Sequence, residues 1–545
     1  MPANTWPLES PMLPPLVLRP PHGPRLVRLL VLILAVIFYL PPAGWGPITN
    51  GPEGELAGAA LDLLHRGGCG GGACGGAVLH GPLALWVTRS SLAFFGVSEF
   101  SARLPAALGA VAALWLTLRL AERFGTLWTG FTAALLLLCS PGMLTLGRVL
   151  TPAPLIAALG VACVSCLQRG VQDRPERRRW LLLAWIAWGF LTLAGGWRAG
   201  AVPGGMVLLL ALFYPEARLR FRGLLSWEGG CAAVLTVAAM TAAGFPPGGG
   251  FSSGGAELAV PLWQLLCWQG ALLFPWSLLL LPALGGLLVQ ACARQRLEWN
   301  EGLALAWLAA GTACAATDPT LFSPLPCWAA FAVWGAVRLQ TMHRSAFLNA
   351  GTVATAAACG GLFLAERLPR LLPVLFPSQR GVFQQIPTFF WPAVTPVAFI
   401  AMLAFTLFAA VALWAEFSHN RRFALLALFA AMIPAGFAFA DIGAKFAPYF
   451  SDASLANCID ASQPAPAAVF VEPGRFATSS LSFYLGAEPR RSLRYGAPTP
   501  EIVSRWQPGT RLLIEEPRMA FWQKELGGRF TVECKAGGHL LLAAQ

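Results

Sequence analysis

Residues 393–415 read AVTPVAFIAMLAFTLFAAVALWA, residues 416–422 read EFSHNRR, and residues 423–440 read FALLALFAAMIPAGFAFA. Two uncharged apolar runs, each close to the ~20 residues that cross about 30 Å of hydrocarbon, flank a short turn carrying Arg421 and Arg422. Such a pair reads as two transmembrane helices with a basic loop between them. In lipid, a spanning segment of this length satisfies its backbone groups as a helix.

Working back from this pair, the same pattern recurs near 26–42, 103–119, 127–143, 150–168, 180–195, 200–214, 226–244, 262–290, 302–316, 325–338 and 346–365. The sequence therefore predicts an all-α polytopic membrane protein of about thirteen spans, counted at ~20 residues per crossing. Composition agrees: 56% of residues are hydrophobic and 12% charged, where a soluble domain carries roughly a quarter charged residues. The net charge of +12 does not mark a nucleic-acid partner, because the cations fall in short loops between apolar runs. Arg19 and Arg25, Arg119 and Arg123, Arg174 with Arg177, Arg178 and Arg179, Arg218 with Arg220 and Arg222, Arg294 and Arg296, Arg338 and Arg344, then Arg421 and Arg422 occupy the first segment and every second loop. That alternation predicts a cytoplasmic N-terminus and an extracytoplasmic C-terminus. The first span lacks a small-residue cleavage site and is expected to remain as an anchor.

Two outward segments are large. The first, from Pro41 to about Ala102, holds Glu53, Glu55 and Asp62, a Gly-rich stretch from Gly67 to Gly76, and an amphipathic run from Pro82 to Phe95. It reads as two surface helices joined by a flexible linker. The second is the tail, which divides the chain into a transmembrane domain, 1–443, and a soluble extracytoplasmic α/β domain, 444–545. Residues 468–471, 511–514 and 539–542 have strand character, and 481–485 and 500–506 helical character. Cysteines within the spans behave as small apolar residues. Cys69 with Cys74, and Cys458 with Cys534, are the pairs an oxidising compartment permits. No His/Cys spacing near His65 or His80 makes a strong zinc site, so no metal ligand is assigned.

The first outward loop carries a family resemblance. Pro52-Glu53-Gly54-Glu55-Leu56-Ala57 resembles the acidic first-loop motif of the C-type glycosyltransferases, and His80-Gly81-Pro82-Leu83-Ala84-Leu85-Trp86 resembles their Lys-Pro-Pro-Leu-Tyr-Tyr-Trp signature. Phe95-Gly96-Val97-Ser98-Glu99-Phe100-Ser101-Ala102-Arg103-Leu104-Pro105 is similar to their Phe-Gly-x-x-Glu-Phe-x-x-Arg-Leu-Pro run, the most specific match. Gly147-Arg148 with Thr151-Pro152-Ala153-Pro154, Gly195-Gly196-Trp197-Arg198 and Phe274-Pro275-Trp276-Ser277 follow in the family's order. The span count and outer tail are similar to the branch containing the lipid A aminoarabinose transferase and the protein O-mannosyltransferases. Departures stand at Pro52, where that family has an Asp, and at His80, where it has a Lys.

The resemblance implies transfer of a sugar from a polyprenyl-phosphate donor to a lipid, glycan or protein acceptor, on the outer face of a bacterial inner membrane. Such chemistry asks for a carboxylate at the acceptor hydroxyl and cations at the departing phosphate. Glu53 and Glu55 are the catalytic candidates. His80, Arg103, Arg148 and Arg198 are the donor-phosphate candidates, with Arg367, Arg370 and Arg380 as further cations. A divalent cation on the two glutamates is the one cofactor option. The alternative readings are an inactive relative that binds lipid-linked glycans or scaffolds an envelope complex, and a transporter. The transporter reading suffers because the charges sit at outward span ends and no internal repeat is visible.

Overall fold

The computed structural model describes residues 23–66, 81–172, 176–214, 226–242, 269–292, 297–316, 325–365, 391–461, 468–472, 480–485, 493–495, 499–536 and 539–545, together with residues 218, 221, 224, 266, 367 and 370. His80, Cys69, Cys74 and Arg380 lie outside the described residues. The described chain is mainly helical with one small sheet near the C-terminus. Among the described residues, 6 helices are long and apolar enough to cross a membrane: Arg25–Gly44, Glu99–Phe124, Ala153–Gln172, Arg177–Phe213, Val394–Phe417 and Arg421–Phe446.

Other expected spans carry helices that are shorter or broken, each for a local reason. Leu127–Leu138 has 12 residues, or ~18 Å at 1.5 Å per residue. It stops because Ser140 turns extended, accepts a hydrogen bond from Met143 N and starts a new short helix at Pro141. The run expected at 262–290 contains the helices Trp276–Leu279 and Leu281–Cys292. The two spans expected at 180–195 and 200–214 are two helices within Arg177–Phe213, separated at the non-helical Gly196 (φ 69, ψ −169).

Alanine, glycine and a few tryptophans build the helical core. Trp276, Trp307, Trp328 and Trp334 are fully buried there. Small residues let backbones approach, as membrane helix packing requires. A Cβ on Gly109 would lie 2.9 Å from Leu155 N, so helix Glu99–Phe124 meets Ala153–Gln172 backbone to backbone at this point.

The C-terminal sheet comprises β1 (Ala468–Val471), β2 (Leu493–Tyr495), β3 (Thr510–Glu515), β4 (Phe530–Ala536) and β5 (His539–Ala544), in the order β2-β1-β3-β5-β4. β1 runs parallel to β2 and β3, whereas β5 is antiparallel to β3 and β4. Both faces are covered. Val469, Val471, Leu513 and Leu541 pack with Leu455 and Ile459 of helix Ala453–Ala461, and Phe470, Leu512, Leu542 and Ile502 pack with Trp522 on the other side.

This sheet domain is seated on the first loop. Phe483, from the short helix Leu481–Tyr484, joins a cluster with Ile48, Leu56, Leu61, Leu85 and Leu92. Tyr484 Oη accepts a hydrogen bond from Ile48 N at 2.5 Å and donates to Glu99 Oε1 at 3.2 Å. Ser480 donates from N and Oγ to Asn50 Oδ1, at 2.9 and 2.8 Å.

Candidate active site

The Phe95–Pro105 run folds as its residues dictate. Gly96 takes φ 79, which ends the second loop helix, Pro82–Phe95. Ser98 and Ser101 exchange side-chain and backbone hydrogen bonds as a capping box that starts the span Glu99–Phe124. Arg103 then projects from the span's first turns into the loop.

Arg103 and Glu53 form a buried pair, at 2.7 Å from Nε to Oε1 and 3.2 Å from Nη2 to Oε2. Neither side chain is more than 5% exposed. The other guanidinium protons reach the carbonyls of Ala43, Trp45, Gly46 and Pro47, at 3.3, 3.1, 2.8 and 2.8 Å. Glu53 also accepts from Thr49 N and Thr49 Oγ1, at 2.9 and 2.7 Å, and from Leu150 N at 2.9 Å. A bidentate fork of this kind holds its residues in one geometry. Here it fastens the 43–50 turn, the loop helix Pro52–Arg66 and the start of the Ala153–Gln172 segment to one point.

Arg103 directs its donors to protein oxygens, an arrangement that suits positioning the loop. Glu53 has both oxygens engaged by donors, one of them a cation, and does not fit a divalent metal. Among the described residues no group of three His, Cys, Asp or Glu side chains could hold a metal ion.

Glu55 differs. It sits on the same loop helix, Pro52–Arg66, half-buried and with no ion pair among the described residues. Burial pushes its carboxyl above the usual carboxylate range. Arg148 is buried between two spans, donating from Nε to Phe38 O at 2.9 Å and from Nη1 to Gly436 O at 2.8 Å. Its Nη2 is buried without a protein acceptor. Arg367 and Arg370 are exposed.

The kink at Gly196 brings two motifs together. A Cβ on Gly81 would lie 2.6 Å from Leu193 O and 3.1 Å from Gly196 N. The N-terminus of helix Pro82–Phe95 therefore abuts the point where a second helical stretch restarts at Trp197. Helix N-termini present unsatisfied N–H groups and a positive dipole end. Arg198 stands one residue into the restart, and the indole Nε1 of Trp197 is buried with no acceptor among the described residues. Gly81 itself has φ 102, a conformation that costs an L-residue about 1–3 kcal/mol. Gly81→Ala is expected to lower the thermal midpoint in detergent more than Gly51→Ala. Gly51 also has a positive φ, of 90, but a Cβ there meets nothing within 4 Å. Equal shifts for the two variants would show that the Gly81–Leu193 approach is not tight.

Over nearly the whole chain the arrangement matches a solved structure of ArnT from Cupriavidus metallidurans bound to undecaprenyl phosphate. The TM-score is 0.77 at 18% identity, covering 94% of this chain and 97% of that one. The apo state of the same protein matches equally, with TM-score 0.77, 18% identity and the same coverage. The fold is that of the C-type glycosyltransferases. Residues 79–242 also match the family model for dolichyl-phosphate-mannose-protein mannosyltransferase. No curated protein sequence matches the chain. The Phe95–Pro105, Gly147–Pro154 and Gly195–Arg198 motifs fall inside the matched stretch, whereas Glu53 and Glu55 precede it.

Within this C-type fold, sequence reasoning missed the residues joining the sheet domain to the first loop: Asn50, Asp452, Ser480 and Tyr484. They are ordinary polar residues in separate segments, and only the fold brings them together. Asp452 is 1% exposed. Burial pushes its carboxyl up to about 7, partly offset by hydrogen bonds from Asn50 and Ser480. The folded state thus holds a proton that the unfolded chain releases near 3.8. Stability is full below that value, falls as pH rises towards 7, and is flat above. Thermal midpoints measured across this window should show the decline, and Asp452→Asn should flatten it.

Proposed function

We propose that this protein is a membrane transferase that moves a sugar from a polyprenyl-phosphate-linked donor to an acceptor at the outer membrane face. The observation that carries this reading is the Gly81–Gly196 approach, where helix Pro82–Phe95 starts beside the kink that leads into Trp197 and Arg198. This is a place suited to a phosphate. The C-type fold and the ArnT structure bound to undecaprenyl phosphate support the same donor class.

In this reading the acceptor hydroxyl oxygen attacks the anomeric carbon, and the bond from that carbon to the phosphate oxygen breaks. Glu55, half-buried and with no ion pair among the described residues, takes the hydroxyl proton. The polyprenyl phosphate leaves with the electron pair into the field of Arg198 and the helix ends. Arg148, with one unmet N–H group, is the second candidate cation, and His80 precedes the junction in sequence. Glu53 and Arg103 hold the loop helix in register for Glu55. The first segment faces the cytoplasm and the sheet domain the opposite side, as the arginine distribution requires.

The saturation of Glu53, together with Pro52 in place of an acid, favours a second reading: a relative that binds lipid-linked glycans without turning them over. Purified protein offered a panel of polyprenyl-phosphate sugars and a membrane extract separates the two. Release of polyprenyl phosphate supports the transferase. Donor binding without release from any member of the panel selects the binding protein.

A further inference from the structure

Cys458 lies on helix Ala453–Ala461, the first helix after the Arg421–Phe446 span, and Cys534 lies on β4, the edge strand of the sheet. Along the β4–β5 ladder, Val532 pairs with Leu542, but Cys534 pairs with Leu541. One extra residue, Glu533, is therefore bulged out between them. A bulge re-aims the residues that follow it. Without it Cys534 would share the face of Leu540 and Leu542, whose side chains pack with Trp522. With it, Cys534 turns to the face of Leu541, where Leu455 and Ile459 of the Cys458 helix also pack. Both cysteines pack against that one cluster, and both side chains are half-buried.

We propose that Cys458 and Cys534 close into a disulfide that staples the edge strand of the sheet to the helix following the last span. The bulge also lets Glu533 accept a hydrogen bond from the buried Arg511, at 2.7 Å from Nε to Oε2, so it serves the sheet as well as re-aiming Cys534. The cross-link would tie together two segments far apart in sequence, the arrangement in which it restricts the unfolded chain most. It would also fix the edge strand, which is otherwise open on one side.

The closure balances as thiol–disulfide exchange with a small-molecule or protein disulfide. One cysteine sulfur attacks the incoming disulfide and expels one thiol. The second cysteine sulfur then displaces the other thiol from the mixed disulfide. Cys458 and Cys534 are oxidised, the incoming disulfide is reduced to two thiols, and the two cysteine protons leave with them. Burial first, then Cys534 and Glu533, pushes the Cys458 thiol up to about 12, against a smaller lowering by Arg511. The proposal concerns the sheet domain alone and stands apart from any transferase activity.

The test uses the full chain in detergent, equilibrated with glutathione disulfide, blocked with N-ethylmaleimide, and read by peptide mass spectrometry. Wild type should yield a cross-linked 458–534 peptide with no label on either cysteine, and both should label fully after reduction. In Cys458→Ser, glutathione should remain on Cys534. The proposal is overturned if folded wild type carries maleimide or glutathione on both cysteines singly, with no cross-linked peptide.

Discussion

Glu55→Gln should lower the rate of polyprenyl phosphate release by about 10²–10⁴-fold, the usual worth of a positioned general base, while leaving the thermal midpoint nearly unchanged. The side chain is half-buried and makes no ion pair among the described residues, so the amide replaces the carboxylate at little structural cost. The effect belongs in kcat, because an interaction made only as the hydroxyl proton moves leaves donor binding intact. A Glu55→Gln chain with wild-type turnover would remove this residue from the chemistry. A parallel Glu53→Gln chain distinguishes the two acids. It keeps the side chain's shape but breaks a charge pair, so its loss of activity should come with a lowered midpoint.

Arg103→Ala should be the most destabilising substitution in the first loop, at about 3–5 kcal/mol, the range for removing one member of a buried ion pair. Replacing both members of such a pair with apolar residues often restores stability. Here the double variant Glu53→Leu/Arg103→Met should not recover, because the guanidinium also satisfies four backbone carbonyls between Ala43 and Pro47. Limited proteolysis of the loop and thermal midpoints in detergent check both statements. Recovery in the double variant would mean that the charge pair, and not the carbonyl cluster, holds the turn.

Much of the fold was legible in the sequence because lipid imposes simple rules. Runs such as 393–415 and 423–440 have one comfortable conformation in hydrocarbon, and the loop helix Pro82–Phe95 lies where its amphipathic run placed it. The strands β1, β3 and β5 were visible as short apolar runs. β2 and β4 were not: β2 is three residues long, and β4, FTVECKA, is an edge strand that mixes charges with apolar residues. The break at Ser140 was missed because a hydroxyl that caps a helix resembles any other small residue within an apolar run.

The site was legible in residue type and misleading in role. The motif pointed to Glu53 and Arg103 but could not give the direction of either side chain. Carbonyls from Ala43, Trp45, Gly46 and Pro47 leave no trace in a side-chain pattern. The convergence of Gly81 with Gly196 was present as two separate motifs, and only their contact turns them into one place.

Tyr484 shows what this architecture means for anyone rebuilding the protein. Its hydroxyl is shared between a backbone amide of the first loop and Glu99 at the head of a span, so the sheet domain cannot be excised or transplanted as an independent cassette. A chimera cut after the last span and fitted with a foreign tail would expose Ile48 N and strip the cover from Leu56 and Leu61. A working graft would have to carry residues 48–50 and Glu99 with the tail, which places the true engineering boundary inside the first loop.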